Sequence, residues 1–107
     1  MRRVAQVVGL RPGKAAEYRE LHRAVPEAVL DRLRRSHIAN YSIHLFGDRL
    51  FGYFEYHGDD LAADLALVAE DPATRDWWRL TAPCQQPPAG AGPGEWWAST
   101  EQVFLME

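Results

Sequence analysis

Along this chain the spacing of apolar residues switches between a two-residue and a three-to-four-residue period, and the order of those switches limits the fold more than any other feature. Arg3 to Leu10 (RVAQVVGL) is short, rich in valine and free of proline, which predicts a strand, and Arg11-Pro12-Gly13 breaks the chain after it. From Lys14 to about His37 apolar residues recur at Ala15, Tyr18, Leu21, Val25, Val29, Leu30 and Leu33, the spacing of a helix. Pro26 removes a backbone donor midway, so a kink or two helical pieces are expected, with Pro26 near the first turn of the second.

Ile38 to Phe46 (IANYSIHLF) returns to the two-residue period, placing Tyr41, Ile43 and Leu45 on one face and Asn40, Ser42 and His44 on the other. Gly47-Asp48-Arg49 is a compact turn and Leu50 to Tyr56 (LFGYFEY) the second arm of a hairpin. Gly52 leaves that arm without a side chain, which permits a bulge or the close approach of another group. Asp59 and Asp60 can cap a helix reaching about Glu70, and Asp71-Pro72 restarts a second helical segment reaching about Ala82. Pro83 to Glu95 has the composition of a loop without regular structure, and Trp96 to Met106 reads as a closing strand.

The order strand, helix, strand, strand, helix, strand predicts an α+β fold, the ferredoxin-like βαββαβ sandwich, with helices on one face of a four-stranded antiparallel sheet. Residues 1–107 are expected to form one domain. Apolar or aromatic residues fall on both faces of the hairpin, such as Tyr41 against Phe46 and Phe51 against Phe54, so a homodimer packing sheet on sheet is expected to cover the helix-free face.

Charge and cysteine content narrow the function. A formal net charge of -3 offers no basic footprint for nucleic acid, and the one cluster, Arg32, Arg34 and Arg35, suits a helix end. Cys84 is the single cysteine, so no internal disulfide can form, and no spacing resembles a zinc site; both fit a cytoplasmic protein. Gln6 interrupts the first apolar run, leaving no membrane span or signal peptide there.

Tyr18 and His22 lie four apart on a helix and can reach the same small ligand; an imidazole exchanges protons near neutral pH, which makes His22 the candidate general acid or base. The adjacent Trp77 and Trp78 diverge by about 100 degrees on a helix, so one can anchor the core while the other lines a pocket, and an indole face suits the C–H face of a sugar ring. Trp96-Trp97 would face opposite sides of a strand. Tyr41, on an apolar strand face, needs a partner for its hydroxyl, either ligand or backbone. His37, His44 and His57 match no metal box, and Glu55, among aromatic neighbours, is a candidate perturbed carboxylate. No phosphate loop, nucleophile elbow or triad signature is present.

Taken together, Glu17-Tyr18 with His22, Pro26-Glu27, Asn40-Tyr41-Ser42-Ile43, Trp77-Trp78 and Val103-Phe104 resemble the L-rhamnose mutarotase family over essentially the whole chain. The resemblance implies a dimeric α/β barrel, an isomerase acting without a cofactor, and interconversion of the α and β anomers of L-rhamnose or a related 6-deoxy sugar. It implies His22 as proton donor and Tyr18, Tyr41, Trp77 and Trp78 as sugar-contacting residues. The chain departs from the family pattern at Leu21, Val25, Gln102 and the stretch Cys84 to Pro88. Two other readings stand beside this one: a cofactor-free monooxygenase or cyclase on the same barrel, for which a long apolar pocket is expected, and a non-catalytic binding module.

Overall fold

The computed structural model describes residues 1–107. Strands β1 (Arg2–Leu10), β2 (Ile38–Phe46) and β3 (Arg49–Tyr56) form the body of an antiparallel sheet in the order β2-β3-β1. Gly47 and Asp48 alone join β2 to β3; Gly47 takes a φ of 62°, which a two-residue hairpin turn requires and glycine adopts without strain. The fourth position, beside β1, is shared by two short strands, β4 (Gln85–Gln86) against Leu10 and Gly9, and β5 (Ala98–Ser99) against Val7 and Gln6. The result is the expected ferredoxin-like arrangement with its last strand in two pieces.

Four helices cover one face. The expected break at Pro26 divides the first segment into α1 (Ala15–Leu21) and α2 (Glu27–Arg35). A proline disfavours helical backbone in the residue before it, so Val25 leaves the helix, and Pro26 becomes the residue preceding α2 rather than part of its first turn. Asp60 caps α3 (Leu61–Glu70) by accepting from the Ala63 N–H at 3.1 Å, and Asp71 caps α4 (Pro72–Thr81) by accepting from that of Thr74 at 3.0 Å. A 3₁₀ turn, Ala82–Cys84, leads into β4. No helix is long and apolar enough to cross a membrane.

Alternation along the strands turns Val4, Gln6, Val8 and Leu10 of β1 toward the helices together with Leu50, Gly52, Phe54 and Tyr56 of β3. Val8, Leu10, Tyr18, Leu50 and Cys84 pack at one end of this layer and Ile38, Phe54 and Tyr56 at the other. The Tyr56 hydroxyl donates to Asp64 and accepts from the Asp60 N–H, fastening α3 to the sheet. Gly52 permits a close approach: a Cβ there would stand 3.1 Å from the Trp97 indole.

The closing strand is shorter than expected. Pairing ends at Ser99, Thr100 still donates twice to the Ala5 carbonyl, and residues 101–107 form no strand. Val103 (87 %), Phe104 (78 %) and Met106 (80 %) are exposed, and the edge of β1 from Arg2 to Val4 has no strand partner on that side. Phe46 and Phe51 are also exposed, on the helix-free face.

Candidate functional site

Between the sheet and α1, α2 and α4 lies a cavity of about 820 Å³. Tyr18, His22, Tyr41, Trp77 and Trp78 all line it. Most of the lining is apolar, so the hollow is neither as small nor as hydroxyl-ringed as a monosaccharide site was expected to be. The reason lies in its floor: Val29, Ile38, Phe54 and Val68 belong to the cavity wall yet are 3–5 % exposed, side chains of the core with little surface to offer a ligand. Free surface concentrates at Tyr41 (40 %), Trp78 (44 %) and Trp96 (39 %).

The break before Pro26 makes His22 the residue that ends α1. Its ring turns back over the helix, stacks on Tyr18 with centroids 4.3 Å apart, and meets Trp77 of α4 edge-on at 5.2 Å. His22 Nδ1 lies 2.8 Å from the Tyr18 carbonyl oxygen. A carbonyl can only accept, so Nδ1 carries the hydrogen and Nε2 of the neutral ring bears the free lone pair. One nitrogen is committed to the backbone and the other is left for chemistry.

Tyr41 reaches the cavity because β2 is bulged. Ala39 pairs with Glu55 and Ser42 with Tyr53, so Asn40 and Tyr41 together oppose one residue, Phe54. Asn40 absorbs the extra residue in left-handed backbone, φ 51°, which asparagine tolerates better than most, and its amide donates to Glu55 on the helix-free face at 2.7 Å. Tyr41 is thereby set inward beside Phe54, with ring centroids 5.4 Å apart. Its accessible surface looks into the cavity, so the hydroxyl behaves as a buried one: burial pushes it up to about 12, and charge on nearby Tyr18 acts the same way.

Tyr18 is 6 % exposed, and burial raises its phenol against the opposing pull of a hydrogen bond from Gln85. That bond, Gln85 Nε2 to Tyr18 Oη at 3.0 Å, continues to Trp96, whose indole N–H donates to Gln85 Oε1 at 2.7 Å. Gln85, Trp96 and Trp97 all line the cavity. Sequence reading missed Gln85, a residue without chemical signature in a proline-rich stretch. It had Trp96 and Trp97 on opposite sides of a strand, whereas both precede β5 and share the hollow.

The remaining candidates lie elsewhere. Glu55 accepts from Asn40 and Tyr53 on the helix-free face, and those bonds hold its carboxyl below the usual range. His44 faces the same way, 3.0 Å from the Ser42 hydroxyl, and His37 ends α2 with a φ of 63°. No three His, Cys, Asp or Glu side chains converge into a metal-binding group. Cys84 is fully buried, donates to Glu17 at 3.1 Å, and is pushed up to about 11 first by burial and then by that carboxylate, which makes it a poor nucleophile.

A sequence profile described as L-rhamnose mutarotase matches residues 3–106. An L-rhamnose mutarotase of Sinorhizobium medicae is 39% identical over 80 residues, 73% of this chain and 74% of that one. One from Burkholderia cenocepacia is 36% identical over 109 aligned positions, covering 100% of both chains. Among solved structures, an L-rhamnose mutarotase from Formosa agariphila superposes with a TM-score of 0.79 at 23% identity, covering 100% of both chains. Tetracenomycin F2 cyclase from Streptomyces glaucescens gives 0.72 at 15% identity, covering 100% of this chain and 98% of that one, so the fold is common to enzymes of different chemistry.

Proposed function

We propose, from the premise that this chain belongs to the L-rhamnose mutarotase family and is therefore an isomerase of free sugar anomers, that His22 carries the proton while Tyr18, Tyr41, Trp77 and Trp78 hold the sugar. The observation carrying this reading is the His22 ring, clasped between Tyr18 and Trp77 with Nδ1 tied to the backbone and Nε2 uncommitted at the cavity.

Mutarotation needs a proton added at the ring oxygen and one removed from the anomeric hydroxyl. Both oxygens are bonded to the anomeric carbon, so one nitrogen above that carbon reaches each in turn. With a proton taken up on its free Nε2, the imidazolium form of His22 protonates the ring oxygen through Nε2–H as that oxygen's bond to the anomeric carbon breaks; the protonated aldehyde returns its own proton to the same nitrogen. The aldehyde then rotates about the adjoining C–C bond, and the reverse steps close the ring on its other face. A tyrosine hydroxyl holds the anomeric oxygen meanwhile, and the Trp77 and Trp78 rings supply flat apolar surface for the sugar C–H groups.

The partner of this chain is a second copy of itself. Phe46 and Phe51 on the helix-free face, with Val103, Phe104 and Met106 beyond β5, are apolar surface that a homodimer would remove from water. A cytoplasmic setting suits the single unpaired cysteine.

Saturation-transfer NMR of anomer exchange tests the reading, run on L-rhamnose, L-fucose and other free sugars. Accelerated exchange of L-rhamnose, equal or smaller for the others, is the expected result. Acceleration of L-fucose alone would move the substrate to another 6-deoxy sugar, and acceleration of none would return the apolar cavity to a cyclase-type reaction.

A further inference from the structure

Gln85 is 5 % exposed and has no acid, base or nucleophile of its own, yet both its amide oxygen and its amide nitrogen are hydrogen-bonded at the cavity wall. The direction of those bonds is decided by Trp96. An indole N–H donates and never accepts, so the amide oxygen must face Trp96, at 2.7 Å, and the NH₂ must face Tyr18, at 3.0 Å. The amide cannot turn over without setting its NH₂ against the indole N–H. The backbone holds it too: Gln85 pairs with Leu10, and Arg11 Nε donates to the Gln85 carbonyl at 3.0 Å.

The consequence falls on Tyr18. Its oxygen receives a hydrogen from Gln85, so its own hydrogen points elsewhere, and the phenol makes no bond to a protein acceptor. We infer that Gln85, locked by Trp96, is a positioning residue that makes Tyr18 an obligatory hydrogen-bond donor to the substrate. This rests on the reading that Tyr18 touches the sugar.

A sugar hydroxyl can donate or accept, whereas the carbonyl of the ring-opened aldehyde can only accept. A tyrosine fixed as donor therefore favours the open-chain state and the transition state leading to it. Donation from Gln85 also polarises the Tyr18 O–H and strengthens that bond. The same logic separates the two tyrosines: Tyr41 has no protein hydrogen-bond partner to fix its hydroxyl and can serve either polarity.

Replacing Gln85→Glu reverses the arrangement with almost no change in shape. A carboxylate accepts from Trp96 and also from Tyr18, which turns the Tyr18 hydrogen away from the substrate. Protonated, the same group donates to Tyr18 and restores the original order. His22, stacked on Tyr18, and Tyr41, Arg11, Glu17 and Cys84 are the other charged or titratable groups around Gln85 and Tyr18; His22 and Tyr41 are common to wild type and variant, so the rate is compared as a ratio at each pH.

The test is polarimetry of freshly dissolved L-rhamnose anomer with wild type, Gln85→Glu, Gln85→Met and Tyr18→Phe. Gln85→Glu should lower kcat by roughly 10²-fold, the usual cost of losing one transition-state donor, with a smaller change in KM. Its rate relative to wild type should climb as pH falls and the carboxylate protonates. Gln85→Met, which frees the Tyr18 hydroxyl to rotate, should lose only about tenfold. The inference is overturned if Tyr18→Phe is slow while Gln85→Glu runs at the wild-type rate, or if the Glu and Met variants fall equally with no pH dependence. A full-rate Tyr18→Phe would instead remove the reading beneath it. Should Gln85→Glu not fold, Trp96→Phe releases the amide to turn over: an intermediate loss of kcat supports the lock, and an unchanged kcat refutes it.

Discussion

Replacing His22 by phenylalanine and by alanine separates what that ring does by packing from what it does by proton transfer. In the folded protein the imidazole stacks on Tyr18 at 4.3 Å and meets Trp77 at 5.2 Å. Aromatic contacts of this kind contribute about 0.5–1.5 kcal/mol each and the Nδ1 bond to the Tyr18 carbonyl about 1 kcal/mol, so His22→Ala should destabilise by about 2–4 kcal/mol. At about 4 °C per kcal/mol for a chain of this size, its melting temperature should fall by roughly 8–16 °C. His22→Phe preserves both ring contacts and loses the Nδ1 bond to the Tyr18 carbonyl, about 1 kcal/mol. Its melting temperature should drop by only about 4 °C.

Activity should ignore that difference. A positioned general acid contributes about 10²- to 10⁴-fold, and at 1.36 kcal/mol per factor of ten both variants should lose about 3–5 kcal/mol of transition-state stabilisation. Anomer exchange at a temperature where both are folded, paired with calorimetry, makes the comparison. A phenylalanine variant within threefold of the wild-type rate would refute proton transfer by His22. So would a rate that follows stability across the two variants.

Asn40→Gly should keep the bulge and lose about 0.5–1 kcal/mol with its bond to Glu55, whereas Asn40→Val forces a branched side chain to φ 51° and should lose about 1–2 kcal/mol more, measured by urea unfolding. His37→Gly should stabilise by up to about 1 kcal/mol, because φ 63° strains histidine by slightly more than the backbone freedom glycine loses on folding; equal midpoints would contradict this. Burial raises the folded-state pKa of Tyr41 from its ordinary value near 10 to about 12. Its contribution to stability is thus complete below pH 10 and lost as pH rises through 12, and Tyr41→Phe should flatten that alkaline decline in unfolding curves. Removing residues 103–107 should shift the protein from dimer to monomer in light scattering, since those residues carry much of the exposed apolar surface.

Much of the scaffold was legible because its signals are local. Asp60, Asp71-Pro72 and Pro26 each act within a turn of their own position, and Gly47 can be recognised from the two strands it joins. Gly52 left a bulge or a close approach open, and only the folded chain shows that it is the Trp97 indole that comes near. The shared cavity of His22, Tyr18, Tyr41, Trp77 and Trp78 was reached through helical spacing and family likeness together. Asn40 gave weaker notice: asparagine permits left-handed backbone without demanding it, so the bulge beside Tyr41 was invisible until β2 paired with β3.

What the amino-acid order determined alone is the sequence of the main elements, the bounds of the capped helices, and which residue types were present for proton transfer and sugar stacking. Those follow from hydrophobic period, caps and turn residues, interactions only a few positions long. What only the tertiary structure decided is polarity and reach: that Nε2 of His22 is the free nitrogen, that Tyr18 is held as a donor, and that the last strand stops at Ser99. Gln85 and Tyr18 are 67 residues apart and meet only because β4 lies along β1. The direction of a buried hydrogen bond depends on every partner at once, and no local stretch of chain contains them all.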